Sequence, residues 1–135
     1  MHIEYTINKK ITSKEFIDIL NRSTLGERRP VDNPECIQGM LDHADILVLA
    51  MDDEKIVGIA RAVSDFNYVC YLSDIAVDEA YQKIGIGEKL INKVKEQLKE
   101  SCKIILLSAP DAVGYYPKVG FTQHFSAWIQ AVKKN

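Results

Sequence analysis

The stretch of this 135-residue chain best suited to chemistry runs from Tyr71 to Leu90. An apolar run reaches Val77, the turn Asp78-Glu79-Ala80 follows, and Gln82-Lys83-Ile84-Gly85-Ile86-Gly87 opens directly into an amphipathic helix. That arrangement is an anion site. The first turn of a helix leaves several N–H groups unpaired and carries a partial positive charge. Glycine at 85 and 87 lets a phosphate approach the backbone with no Cβ in its path. The plainer alternative is a pair of glycines that lets a helix start tightly against a sheet.

Two familiar phosphate loops do not fit. A P-loop needs Lys followed by Ser or Thr after its last glycine, and Glu88-Lys89 follows Gly87. A dinucleotide fingerprint needs Gly or Ala where Leu90 stands, and an acidic residue at the end of a second strand, which Ile104 to Ser108 lacks. No Ser-His-Asp or Cys-His arrangement stands out. Cys36, Cys70 and Cys102 form no Cys-x-x-Cys and read as small core residues. His2, His43 and His124 lack metal-ligand spacing, so no metal site is expected. Trp128 reads as core.

These residues need a scaffold. Ile3, Tyr5 and Ile7 alternate as one buried face of a strand. Thr12-Ser13-Lys14-Glu15 has the form of a capping box and opens a helix striped by Phe16, Ile17 and Leu20. Residues 21–33 read as a loop, and Asn33-Pro34 restarts a helix lined by Cys36, Ile37, Met40 and Leu41. Two strands, Ile46 to Met51 and Ile56 to Val63, flank the turn Asp52-Asp53-Glu54, and a third runs from Tyr68 to Val77. Ile86, Leu90, Ile91, Val94 and Leu98 fall on one face of a helix from Gly85 to Lys99. Ile104 to Leu107 is a short apolar strand, Asp111 can cap a short helix ending at Gly120, and residues 121–130 read as a final strand. One α/β domain spanning 1–135 is expected.

Gln82-x-x-Gly85-x-Gly87 resembles the Gln/Arg-x-x-Gly-x-Gly/Ala pyrophosphate loop of the GNAT superfamily of acyl-CoA-dependent N-acetyltransferases. Tyr115-Tyr116-Pro117-Lys118-Val119-Gly120-Phe121 is similar to the family's later Phe-Tyr-x-x-x-Gly-Phe element, and the two motifs stand in the family's order. The resemblance implies a mixed, mostly antiparallel sheet with helices on both faces and a splayed-strand cleft for acetyl-CoA. It implies that backbone amides of Gln82, Lys83, Ile84, Gly85, Ile86 and Gly87 hold the pyrophosphate. Main-chain groups of Ile75, Ala76 and Val77 would pair with the pantetheine arm, between that strand and the one at Ile104 to Leu107.

Acetyl transfer to an amine requires loss of the amine proton, stabilisation of an oxyanion, and protonation of the leaving thiolate. With no covalent nucleophile in view, direct attack on the thioester is expected. An amide at Ile75 or a neighbour can polarise the carbonyl. By resemblance, Tyr116 is the general acid, Tyr115 a packing residue and Phe121 core. Asp74 is the candidate base, directly or through water; the alternative is a carboxylate that simply faces solvent. Ser73 stands where some family members carry Glu, and Glu27, in a loop that commonly borders the acceptor site, can bind a cationic amine or be a solvated surface group. Arg28 and Arg29 either recognise an acidic acceptor or serve solubility. Many family members have Asn at the position of Ala109, which puts one cofactor contact in doubt.

Seventeen Lys and Arg against 19 Asp and Glu leave a formal charge of −2, which argues against a nucleic-acid partner or a polybasic membrane tether. The chain lacks a secretory signal pattern at its start and any apolar run long enough to span a membrane, so a soluble cytoplasmic protein is the default expectation. The expected function is N-acetyl transfer to a small-molecule amine or a protein amino group, from a chain that can form a homodimer. The alternative is a non-catalytic CoA-binding or regulatory module.

Overall fold

The computed structural model describes residues 2–133. Five strands form one sheet in chain order: β1 (Ile3–Ile7), β2 (Ile46–Asp52), β3 (Lys55–Ser64), β4 (Val69–Val77) and β5 (Lys103–Ile105). The first three junctions are antiparallel and β4–β5 is parallel, as expected of a mixed sheet. Helices α1 (Ser13–Arg22) and α2 (Pro34–Asp42) pack on one face and α3 (Ile86–Glu96) on the other.

Alternation along the strands feeds both layers. In β2, Ile46, Val48 and Ala50 join the α3-side core, while Leu47, Leu49 and Met51 join the α1/α2-side core. Buried on both faces, β2 and β3 therefore read as near-continuous apolar runs. The caps follow their local chemistry. Thr12 and Glu15 exchange side-chain bonds with each other's amides at 2.9 and 3.1 Å, and the Asn33 carboxamide accepts from the Cys36 amide at 3.1 Å. Helix α3 lies close on the sheet at Gly58, where a Cβ would stand 3.1 Å from a Leu90 methyl.

Five expectations need correction. Residues 121–130 form neither helix nor strand, and Phe125, Trp128 and Ile129 are largely exposed, Trp128 at 93%. Strand composition alone does not order a strand, and β5, three residues long, offers little edge to pair with. The short helix before Gly120 is two separate 3-10 turns, Pro110–Ala112 and Tyr116–Val119, because Gly114 and Pro117 interrupt it. Ala109, not Asp111, occupies the cap position there. Cys36 is exposed, on the outer side of α2, while Cys70 is buried.

The turn that leads from β4 into α3 is held from α1. Asp78 accepts from the Ala80 amide at 2.8 Å and from Arg22 Nη1 at 2.5 Å, while Arg22 Nη2 donates to the Ile56 carbonyl at 2.7 Å. Tyr81 adds a bond from its hydroxyl to Asp52 at 2.6 Å. Burial pushes the Asp78 pKa up, but the Ala80 amide and the Arg22 guanidinium outweigh it and hold the carboxyl below its ordinary value. Asp78 therefore contributes stability above the unfolded-chain pKa of about 3.9, and the contribution is lost as pH falls through the folded value. Asp78→Asn is expected to lower the thermal midpoint by several degrees at pH 7. The gap from wild type should narrow progressively below about pH 4; a gap independent of pH would contradict the assignment.

Candidate active site

The parallel β4–β5 ladder is short. It pairs Val69 with Lys103, Cys70 with Ile104 and Tyr71 with Ile105, and then stops. From Leu72 to Val77, β4 pairs only with β3, so its other edge is open over six residues. Such an edge presents unpaired N–H and C=O groups to any extended ligand. The expected splay is therefore a property of the sheet itself.

A bulge changes which side chains face which layer along that half-strand. Arg61 pairs with Asp74 and Ala62 with Leu72, which leaves Ser73 as the extra residue on β4. Cys70, Leu72, Ile75 and Val77 consequently all belong to the α3-side core, whereas Ala76 packs with α1 and α2. Asp74 points the same way as Ala76, into the α1/α2 layer.

There it meets two arginines. The Arg29 and Arg61 Nε atoms each donate to a different Asp74 oxygen at 2.5 Å, and Asp74 is 1% exposed. Arg29 Nη2 also donates to the Ser73 carbonyl at 2.8 Å, and Arg61 Nη2 to the Ser73 hydroxyl at 2.8 Å. Arg61 Nη1 reaches the Met40 carbonyl of α2 at 3.3 Å. This geometry corrects the reading of Asp74 as a base or a solvent-facing carboxylate. Both of its oxygens are occupied by cations and neither reaches water. Asp74 and Ser73 instead tie the segment after α1 to the β4 bulge. Arg29 serves that tie, while Arg28 and Glu27 remain exposed on the adjoining 3-10 turn, Leu25–Arg28.

At the other end of the open edge lies the glycine loop. The N–H groups of Gln82 through Glu88 find no acceptor among the described residues. The Gln82 side chain turns back and donates to the Val77 carbonyl at 3.0 Å, closing the loop onto β4. Lys83 and Gly85 both have positive φ, +69° and +88°, a turn of the kind that brings successive amides to one anion. Nothing lies within 4 Å of where a Cβ on Gly85 would stand, so the cradle is open. Seven unpartnered amides at a helix start fit a pyrophosphate, and the open edge beside them fits an extended pantetheine arm.

Tyr116 packs against the α3-side core and stacks edge-to-face on both Tyr115 and Phe121, with centroids 5.3 and 5.6 Å away. Phe121 is partly buried in the same cluster, close to its expected place. Burial first, and then the neighbouring Tyr115, push the Tyr116 phenol above its ordinary pKa. Sequence reasoning missed Arg22, Arg61 and Asp78, whose partners lie 13 to 56 residues away along the chain. Asp78 had a local signal, an Asp two residues before the amide it accepts from, typical of an Asx turn.

The sequence profile described as an acetyltransferase (GNAT) domain matches residues 25–131. The GCN5-related N-acetyltransferase 1, chloroplastic, of Arabidopsis thaliana is 34% identical over 118 residues, covering 84% of this chain and 59% of that protein. The uncharacterized N-acetyltransferase ycf52 of Pyropia yezoensis is 34% identical over 71 residues, covering 51% of this chain and 41% of its own length. The chain thus spans about half the length of these relatives. Among solved structures, the GNAT family protein SP0256 from Streptococcus pneumoniae TIGR4 superposes with a TM-score of 0.78 at 23% identity, covering 96% of this chain and 98% of its own. The aminoglycoside N-acetyltransferase AAC(6')-Iy, in complex with CoA, superposes with a TM-score of 0.74 at 19% identity, covering 98% and 96%. With the profile spanning most of the sequence and the fold shared over nearly all of it, this chain belongs to the GNAT acetyltransferase family.

Proposed function

We propose that the chain transfers an acetyl group from acetyl-CoA to a primary amine by direct attack on the thioester. The observation that carries this reading is the continuity of two features. The open edge of β4 leads, through the turn at 78–81, to the seven amides of residues 82–88 that find no acceptor among the described residues. Acetyl-CoA supplies the acyl group in activated form. The amides of Gln82 to Gly87 hold its pyrophosphate, and the Ile75 to Val77 edge aligns its pantetheine arm. The amide of Ile75 or a neighbour polarises the carbonyl.

Tyr116 donates the proton to the departing sulfur. Its raised pKa keeps the phenol protonated at neutral pH, the form an acid must have. With Asp74 sealed between two guanidiniums, the amine proton leaves to solvent. Glu27, exposed on the turn before Arg29, is available to a cationic acceptor. That the CoA-bound neighbour is an aminoglycoside N-acetyltransferase supports an amine as the acceptor class.

A non-catalytic CoA-binding role is the second reading. The sealing of Asp74 and the alanine at position 109 favour it. Release of free thiol from acetyl-CoA across an amine panel separates the two.

On the enzyme reading, Tyr116→Phe is expected to lower kcat by roughly 10²-fold or more. Acetyl-CoA at about 100 times its dissociation constant should still stabilise both forms by about 2.7 kcal/mol in thermal unfolding. Unchanged turnover places the acid elsewhere, and no stabilisation of the wild type removes the reading.

A homodimer belongs to the same proposal, because Phe125, Trp128 and Ile129 expose apolar surface of the kind that marks contact sites. Light scattering should give about twice the chain mass of 15.3 kDa, and a monomer mass would refute it.

A further inference from the structure

The two adjacent tyrosines occupy different places. Tyr116 lies in the core cluster, whereas Tyr115, at the outer end of the three-ring ladder, is 38% exposed. The Tyr115 ring reaches across to the first turn of α3. Its hydroxyl stands 2.7 Å from the position a Cβ on Gly87 would take, with Cζ at 3.6 Å and a Val77 methyl at 4.0 Å. The hydroxyl therefore sits where the open edge of β4 meets the amide cradle. It makes no hydrogen bond among the described residues. A packing role accounts for the ring but not for a donor placed there.

We propose that the Tyr115 hydroxyl completes the phosphate cradle, donating to a pyrophosphate oxygen of the bound CoA beside the amides of residues 82–88. The inference rests on the acetyl-CoA reading above and adds a side-chain donor to a site otherwise built from backbone. It also gives Gly87 a second task. A side chain there would not only obstruct a phosphate; it would collide with the Tyr115 hydroxyl. Burial, and then the Glu88 carboxylate, raise the Tyr115 pKa, so the phenol keeps its proton at neutral pH. Hydrogen bonds to charged groups are worth more than neutral ones, so loss of this donor should be visible in binding.

The test is isothermal titration calorimetry with CoA and with 3′-phosphoadenosine 5′-diphosphate, a fragment that keeps a diphosphate and lacks the pantetheine arm. Tyr115→Phe is expected to weaken both ligands by about tenfold. It should leave the urea midpoint at the wild-type value, since the hydroxyl holds nothing within the protein. Gly87→Ala should lower the urea midpoint, and adding Tyr115→Phe should restore most of the loss. Wild-type affinity for both ligands in Tyr115→Phe overturns this inference alone. Failure of the unmodified chain to bind CoA removes the acetyl-CoA reading and this inference with it.

Discussion

A carboxylate with no access to water, gripped by two guanidiniums, holds the half-strand on which the site is built. From Leu72 onward β4 has a neighbour on one side only, and a strand in that position is prone to slip or to pair with whatever edge it meets. Asp74 resists both. Arg61 ties it to β3, Arg29 ties it to the segment after α1, and the bulge at Ser73 sets its direction. Removing one partner of such a buried pair typically costs about 3–5 kcal/mol, because the remaining charge is left uncompensated. The edge is open because β5 ends at Ile105, and the arginines hold the strand in place from one face.

Asp78 repeats the arrangement at the end of the same strand, with Arg22 of α1 as its cation. The two carboxylates bracket Ile75 to Val77, the stretch assigned to the pantetheine arm. Both arginine clasps come from the face opposite α3, whereas the amide cradle and both tyrosines lie on the α3 side. Support and ligand site are thus separated by the thickness of the sheet. A ligand on the α3 side would leave the ion pairs on the opposite face untouched.

Much of this was legible in the sequence because the determinants are local. The capping box at Thr12, the Asn33-Pro34 start, the apolar runs of β2 and β3, and the glycine loop each carry their signal within a few residues. Asp74 was misread for the complementary reason. An acidic residue at the end of a cofactor strand looks like a base until Arg29 and Arg61, 45 and 13 residues away, close over it. Trp128 failed differently. Aromatic and β-branched residues at 121–130 suggested a strand, but a strand exists only where an edge is available, and β5 ends after three residues. The motif separated Tyr116 from Tyr115 as acid and packing residue, but the approach of the Tyr115 hydroxyl to Gly87 lay outside sequence logic, since it depends on which ring reaches α3.

The central claim is that one continuous surface, the open edge of β4 and the cradle at the start of α3, receives CoA. Amide hydrogen exchange with and without CoA tests it most directly, because the amides of 82–88 and the outward-facing amides of 72–77 have no partner among the described residues and exchange freely until a ligand covers them. Slowing concentrated at residues 72–77 and 82–88 is the predicted result. Saturating CoA that leaves both stretches unchanged, or slows exchange only on the α1/α2 face, would contradict the account.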